Sequence, residues 1–303
     1  MRWSVRCRMI RYTAPCPHSD ALTSAMPVSH YENFPVASLL LPANLREPIE
    51  TIYAFARSAD DIADEGDIPP EKRLEQLATY RSALDAIESG GLAGMCGQPP
   101  LFARLARTIL DHHLPLKPFH DLLDAFQQDV TKKRFEDFND LADYCRRSAN
   151  PIGRLLLVLY NADLVENLPL ADGICTGLQL VNFWQDVAQD WKKGRIYLPL
   201  QDLADFKVTE EDIAASRCDE RWQALLAFEV ARTRAILSMG APLARRLPGR
   251  IGWELRLMVA GGLYILDRIE AVGYDVFARS PRIDPIGKLA VAWRALNYPR
   301  SSA

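Results

Sequence analysis

Several things are scarce in this sequence, and each shortage excludes a class of protein. The 303 residues hold six scattered cysteines, Cys7, Cys16, Cys96, Cys145, Cys175 and Cys218, with no CxxC pair, and only five histidines. A disulfide framework or a zinc site needs paired, closer spacing, so the thiols read as reduced, small hydrophobes of a cytoplasmic protein. No excess of one charge exists either: 36 basic residues face 39 acidic ones, a net charge of -3. That balance argues against general electrostatic capture of nucleic acid, and no polybasic run suggests strong membrane anchoring. The longest weakly polar run is LMVAGGLYIL at 257–266. It is half the roughly 20 residues that a membrane-spanning helix needs, so no transmembrane segment is expected. Strand signals are also scarce, with few strict alternations and only short β-branched clusters. No repeat period stands out.

What remains is helical periodicity. Apolar positions recur at helical spacing near 44–65, 71–89, 100–111, 118–132, 139–146, 151–162, 171–192, 210–215, 219–246, 251–272 and 285–296. Proline and glycine punctuate the breaks, as in DIPPE, GGLAGMCGQPP, HLPLKP, ENLPLADG, LPGRIG and ARSPRIDP. With 49% hydrophobic residues and no linker long enough to divide it, the chain is expected to form a single all-α domain, a helical bundle around a central cavity. Residues 1–25 differ from the rest: they carry arginines and small residues, no long apolar run, and Met26 follows them directly. The expectation is a disordered N-terminal extension or an early start, with 26–303 forming the domain.

Acidic residues then become the informative feature. SADDIADEGD at 58–67 places Asp60, Asp61, Asp64 and Glu65 at the end of a helix whose stripe is Ile49, Ile52, Tyr53, Ala56, Ala59 and Ala63. At about 100° per residue, Asp60 and Asp64 fall on the edge of that stripe beside Arg57, whereas Glu47, Ser58 and Glu65 fall on the opposite face. Asn44 with Glu47 offers a capping box for the helix start. A second helix, GICTGLQLVNFWQDVAQDWKKGRIYLP at 173–199, aligns Gln179, Asn182, Asp186 and Asp190 as a polar stripe on an otherwise apolar surface. Unpaired carboxylates on interior faces are costly. Hard divalent cations prefer oxygen ligands, and Mg2+ commonly takes one or two carboxylates, waters and phosphate oxygens. Two facing aspartate pairs therefore predict a clamp in which several Mg2+ ions hold a diphosphate. A di-iron bundle would need Glu-x-x-His pairs, and DHH at 111–113 lacks that pattern.

Both aspartate motifs, DDIAD (60–64) and NFWQDVAQD (182–190), about 120 residues apart, occur in order with YAFARSADD, YCRRSANPIG, GRIYLP and YILDRIE. In these segments, from His30 to about Lys288, the chain resembles the squalene/phytoene synthase family of head-to-head prenyl synthases. HYENFPVASLLLPA at 30–43 looks like the branch of bacterial hydroxysqualene synthases of hopanoid pathways. The resemblance implies an isoprenoid-synthase-like fold and ionisation of presqualene diphosphate, with water capturing the rearranged cation. It implies Mg2+ held by Asp60, Asp64, Asp186 and Asp190, with Asp61 and Asn182 in the same set. It implies substrate or diphosphate contacts from Arg57, Gln179, Asn182, Arg195, Tyr264, Asn33 and Phe34, and an active-site tyrosine at Tyr144. Arg279, Arg282 and Lys288 are further diphosphate contacts on the same ground, whereas Lys192 and Lys193 read as partners of a helix dipole. Phe34, Tyr144 and Trp184 are candidates for stabilising cations through their faces. No NADPH is expected, and no GxGxxG follows a strand. Many family members carry arginine where this chain has Gln185, and that departure favours a reaction on one diphosphate over a condensation that must bind two.

Two other readings stay open at this point. One is condensation of two prenyl diphosphates to presqualene diphosphate, dehydrosqualene or phytoene. The other is a non-catalytic assembly factor of the same fold, which would be expected to have degraded aspartate motifs, and both are intact here. The expected partners are a lipid diphosphate and the enzymes before and after it, at a cytoplasmic site with transient contact to the inner face of the membrane.

Overall fold

The computed structural model describes residues 41–92, 98–278 and 280–298, all within one unit that begins at Asn33. The expectations for residues 1–25, Asn33, Phe34, Arg279 and most of the GGLAGMCG loop lie outside the described residues. Among the described residues the elements are α-helices, with no strand. They are α1 (Ala43–Asp64), α2 (Pro70–Gly90), α3 (Pro100–His112), α4 (Lys117–Thr131), α5 (Phe138–Ser148), α6 (Asn150–Leu159) and α7 (Leu168–Gln185). Then come α8 (Val187–Lys192), α9 (Leu200–Asp205), α10 (Glu210–Ala214), α11 (Glu220–Gly240), α12 (Leu243–Arg246), α13 (Gly249–Ala271) and α14 (Pro285–Leu296). None is long and apolar enough to cross a membrane.

Local chemistry explains where the helices start and stop. Prolines stand in the first turn of α2, α3, α4, α6, α7 and α14, where a missing N–H costs nothing. The expected Asn44 cap does not form: extended Pro42 precedes the first turn, and Asn44 is already inside it. The expected helix over 171–192 is two helices, α7 and α8, divided at Asp186. The expected helix over 219–246 is divided at Ala241 and Pro242, because proline offers no N–H to continue the ladder. Six-residue α9 is too short to show a period, and no helix was expected there.

The core sits on both sides of α7, which packs against α5, α6, α11 and α13. Its approach to α11 depends on missing side chains. A Cβ at Gly177 would lie 2.8 Å from Leu237 Cβ, and one at Gly240 would lie 2.6 Å from the Leu170 carbonyl oxygen. One hydrophobic cluster gathers Ile52, Phe55, Leu84, Leu105, Phe119 and Leu123 from α1 to α4. A second gathers Tyr144, Leu180, Trp184, Trp222 and Leu226 around α5, α7 and α11. The two clusters hold α1 and α7 rigidly, and these are the helices that carry the acids. Arg73 fixes the far end of α1 by donating to the carbonyls of Ile62, Glu65, Gly66 and Ile68.

Candidate active site

The acids of α1 and α7–α8 open into one cavity of about 180 Å³, walled on its other sides by α4, α5 and the segment 195–199. Asp60, Asp64, Gln179, Asn182, Asp186, Asp190, Tyr144 and Arg195 all line it. Asp129, Phe183 and Tyr197 line it too, and no role was expected for them.

On the α1 side, protein cations are close. Arg195 grips both Asp64 oxygens, one from Nη1 at 2.7 Å and the other from Nη2. Arg195 also donates to the Asp129 carbonyl, and its buried Nε has no partner. Lys193 lies 3.5 Å from Asp64, so it serves this carboxylate rather than a helix dipole. Asp61 turns aside to Arg57 Nε at 2.9 Å, and Arg57 also meets Glu65 at 3.2 Å and Asp60 at 3.8 Å. Arg57 is thus occupied by acids of its own helix and does not line the cavity.

On the α7 side, the stripe of Gln179, Asn182 and Asp186 reaches the cavity as the periodicity predicts. Helix α7 ends at Gln185, yet the Asp190 N–H still bonds to the Asp186 carbonyl at 2.9 Å, so the turn carries on towards the cavity. Ser280 Oγ donates to Asp186 Oδ1 at 3.1 Å, and Gln189 Nε2 donates to the same oxygen at 3.0 Å. Among the described residues neither Asp186 nor Asp190 forms an ion pair.

Three sequence expectations take a different shape. Gln185 is buried, and its Nε2 donates to the Pro281 carbonyl at 2.5 Å; it holds the segment beside Ser280 and does not face the cavity. Trp184 lies on the core side of α7, with Nε1 bonded to Thr233 Oγ1 at 2.7 Å, because its helical angle opposes the aspartates. Tyr264 does not line the cavity; it packs on α14, where a Cβ at Gly287 would meet its hydroxyl oxygen at 2.7 Å.

The unexpected wall is aromatic. Phe183 and Tyr197 stack with centroids 3.7 Å apart and planes 7° from parallel. The Tyr144 ring lies 6.2 Å from Phe183 and 6.0 Å from Tyr197. Its hydroxyl donates to Asp129 Oδ2 at 2.7 Å. Asp129 carried a readable signal, since it stands on the apolar stripe of α4 with Leu122, Ala125 and Phe126 at spacings of three and four. Tyr197 lies in a segment without a helical period, so its only readable signal was its place in GRIYLP.

Electrostatics divide the acids. Burial, then Asp64 and Asp129, push Asp60 up to about 7 against the pull of Arg57. Its side chain is 37% accessible, yet what it reaches is a narrow recess walled by protein, so desolvation still dominates. Burial, then Asp186, push Asp190 to about 7. Burial raises Asp186 as well, against the Ser280 hydrogen bond and the Arg282 charge. Burial raises Asp129 to about 6 despite its bond from Tyr144. Burial acts upward on Asp64 too, but the Arg195 bonds and charge outweigh it and hold that group below its ordinary value. Burial also drives the Tyr144 and Tyr197 hydroxyls well above theirs.

There are two further recesses, one of which adjoins the first. This cationic recess of about 140 Å³ shares Asp64 and Arg195 with it and adds Arg73, Lys133 and Lys193. A small apolar one of about 30 Å³, which shares no lining residue with the first, lies between α6, α7, α12 and α13, lined by Gly153, Leu156, Tyr160, Ile174, Cys175 and Met258. Among the described residues, no three acidic, histidine or cysteine side chains are drawn together as a ready-made ion cage.

Residues 28–286 match the family model described as squalene/phytoene synthase. The hydroxysqualene synthase of Rhodopseudomonas palustris is 35% identical over 76% of this chain and 76% of its own length. The phytoene synthase of Arthrospira platensis is 30% identical over 87% of this chain and 88% of its own. Among solved structures, squalene synthase HpnC from Alicyclobacillus acidocaldarius superposes with a TM-score of 0.74 at 38% identity, covering 81% of this chain and 90% of that one. With its two aspartate motifs, its all-helical fold and these matches, the chain belongs to the squalene/phytoene synthase family.

Proposed function

We propose that the protein is a Mg2+-dependent hydroxysqualene synthase, converting presqualene diphosphate and water to hydroxysqualene and diphosphate. One observation carries the reading: three acids that lack a bidentate protein cation, Asp60, Asp186 and Asp190, face one cavity opposite an aromatic wall. The family supports an enzyme acting on prenyl diphosphates. The choice of reaction rests on the resemblance to hydroxysqualene synthases, of which three match at 32–35% identity.

The residues present fit Mg2+. The donor set is all oxygen, and Asp60 and Asp190 are held near 7 for want of a neutralising partner. Asp60, Asp64, Asp186 and Asp190 would hold the ions, with Asn182 beside them and Asp61 kept outside by Arg57. The ions would neutralise the charge that builds on the leaving diphosphate. Arg195 lines both the acidic and the cationic recess and Lys193 lines the cationic one, so they are placed to receive the departing diphosphate oxygens. The carbon–oxygen bond breaks and its electron pair leaves with the diphosphate. The stacked Phe183–Tyr197 face and the Tyr144 ring lie against the cation that remains. Water adds to the rearranged cation, and its proton has an acceptor in Asp129, whose Oδ2 is already fixed by Tyr144. No nicotinamide enters this scheme, and we assign the protein to the cytoplasm.

Product analysis tests the proposal. Purified protein with Mg2+, without nicotinamide, is offered farnesyl diphosphate in one tube and presqualene diphosphate in another. Hydroxysqualene from presqualene diphosphate alone is the expected result. A product from farnesyl diphosphate alone would move the protein to the condensing reaction. That second reading is favoured by the Arthrospira phytoene synthase match, which covers more of both chains. Failure to bind diphosphate with Mg2+ would leave a non-catalytic role.

A further inference from the structure

Helix α14 has two apolar faces, and only one has a partner. Gly287, Val291 and Ala295 are buried against the rest of the bundle, chiefly α13. Ile286, Leu289, Trp293 and Leu296 are 78%, 72%, 65% and 66% exposed. At 100° per residue these four fall within an arc of about 80°, opposite the buried three. Exposed apolar residues scattered singly need no explanation, but four large ones aligned on one helix do.

We propose that this outer face of α14 rests on a lipid bilayer, with Ile286, Leu289, Trp293 and Leu296 in the headgroup and upper acyl region. The composition of the face favours a bilayer over another protein, and two contacts place the helix beside the site. The face carries one indole among aliphatic side chains, the composition of an interfacial helix, and exposed Lys288 flanks it where anionic headgroups would lie. The helix is also joined to the site at its start: Ser280 and Pro281, a few residues before Pro285, bond to Asp186 and Gln185. At its other end Tyr298 belongs to the cluster of Leu243, Leu247 and Met258, side chains that also line the apolar recess. The helix is thus anchored beside the acidic cavity at one end and on that cluster at the other. An amphiphilic substrate held in the bilayer would then lie against a helix tied to the acidic cavity; this point rests on the proposed function, the others do not.

The experiment is co-sedimentation of the full chain with vesicles of phosphatidylethanolamine and phosphatidylglycerol. It is run on wild type, on Leu289→Glu/Trp293→Glu, and on Trp293→Phe. Wild type and Trp293→Phe are expected in the pellet, with the double variant at least about tenfold weaker, because two charges would have to enter the apolar layer. Brominated lipid should quench wild-type fluorescence more than that of Trp293→Phe, which would locate the helix face itself. No vesicle binding by wild type, or equal binding by the double variant, overturns the proposal. A wild-type dimer in sedimentation velocity that the double variant dissolves, without vesicle binding, would make the face a contact between copies and would also overturn it. Turnover of detergent-dispersed presqualene diphosphate should be unchanged in the double variant. A wild type that binds vesicles but does not turn over that substrate would refute the proposed reaction and leave this surface standing.

Discussion

The two acidic helices carry aspartates at the same spacing and meet opposite surroundings. On α1, Asp64 is gripped by Arg195, and Asp61 is held by Arg57. On α7 and α8, Asp186 has a hydroxyl and an amide for partners, and Asp190 is pushed to about 7. The protein thus neutralises Asp61 and Asp64 itself but leaves Asp60 at about 7, and it gives neither Asp186 nor Asp190 an ion pair. A spacing of four residues says which face an acid takes; what stands across from that face decides its charge.

The largest test of this contrast is removal of the acids that lack a bidentate cation. Asp60→Asn and Asp186→Asn should each lower turnover by about 10³-fold or more while leaving the helical circular dichroism intact, since the lost group serves transition-state charge. Retained turnover in either would break the comparison and the metal clamp with it. Next comes the neutralised half: Arg195→Met leaves Asp64 nearly buried without its partner and should cost about 3 kcal/mol in urea unfolding. An unchanged midpoint would mean that Lys193 alone suffices.

A buried acid outside the cavity sharpens the contrast, because no ligand is proposed for it. Glu229 is fully buried on α11, and burial together with Asp202 pushes it to about 8, with Arg232 3.5 Å away. Its folded value lies above the unfolded one of 4.5. The stability it contributes is therefore full at low pH and is lost as pH rises from there to about 8. Glu229→Gln should flatten that decline and raise the melting temperature by several degrees above pH 8. A decline of the same depth in the variant would assign it to other groups. The smallest effect belongs to Asp61→Asn: its 35% exposed pair with Arg57 should be worth within about 0.5 kcal/mol, and turnover should stay within about tenfold of wild type. A loss as large as that of Asp60→Asn would return Asp61 to the metal set.

Much of this was legible because helices write their faces into the sequence. The interior direction of Asp60 and Asp64 and the polar stripe through Gln179, Asn182 and Asp186 both follow from 100° per residue. Asp129 was legible by the same rule and passed over, since a lone acid on an apolar stripe lacks the repeated spacing that drew attention elsewhere. What periodicity cannot give is a partner from a distant segment. Arg195 on Asp64 spans 131 residues, and Gln185 on Pro281 spans 96. Read alone, Gln185 looked like a diphosphate ligand exchanged for a weaker one; folded, its amide serves a backbone carbonyl. Phe183 replaced Trp184 as the cavity aromatic for the same reason that Asp186 faces inward, one helical step being enough to change sides.

The raised tyrosines have a chemical consequence of their own. A phenolate beside a carbocation is a nucleophile in the right place to be alkylated, and one such event would end the enzyme's working life. Burial holds the Tyr144 and Tyr197 hydroxyls protonated far above neutral pH. Their rings can then face the cation while their oxygens stay inert. Under the proposed reaction, intact-mass spectra after many turnovers should show no prenyl adduct on the chain. In that reaction the wall that steadies the intermediate would also be its own protection against it.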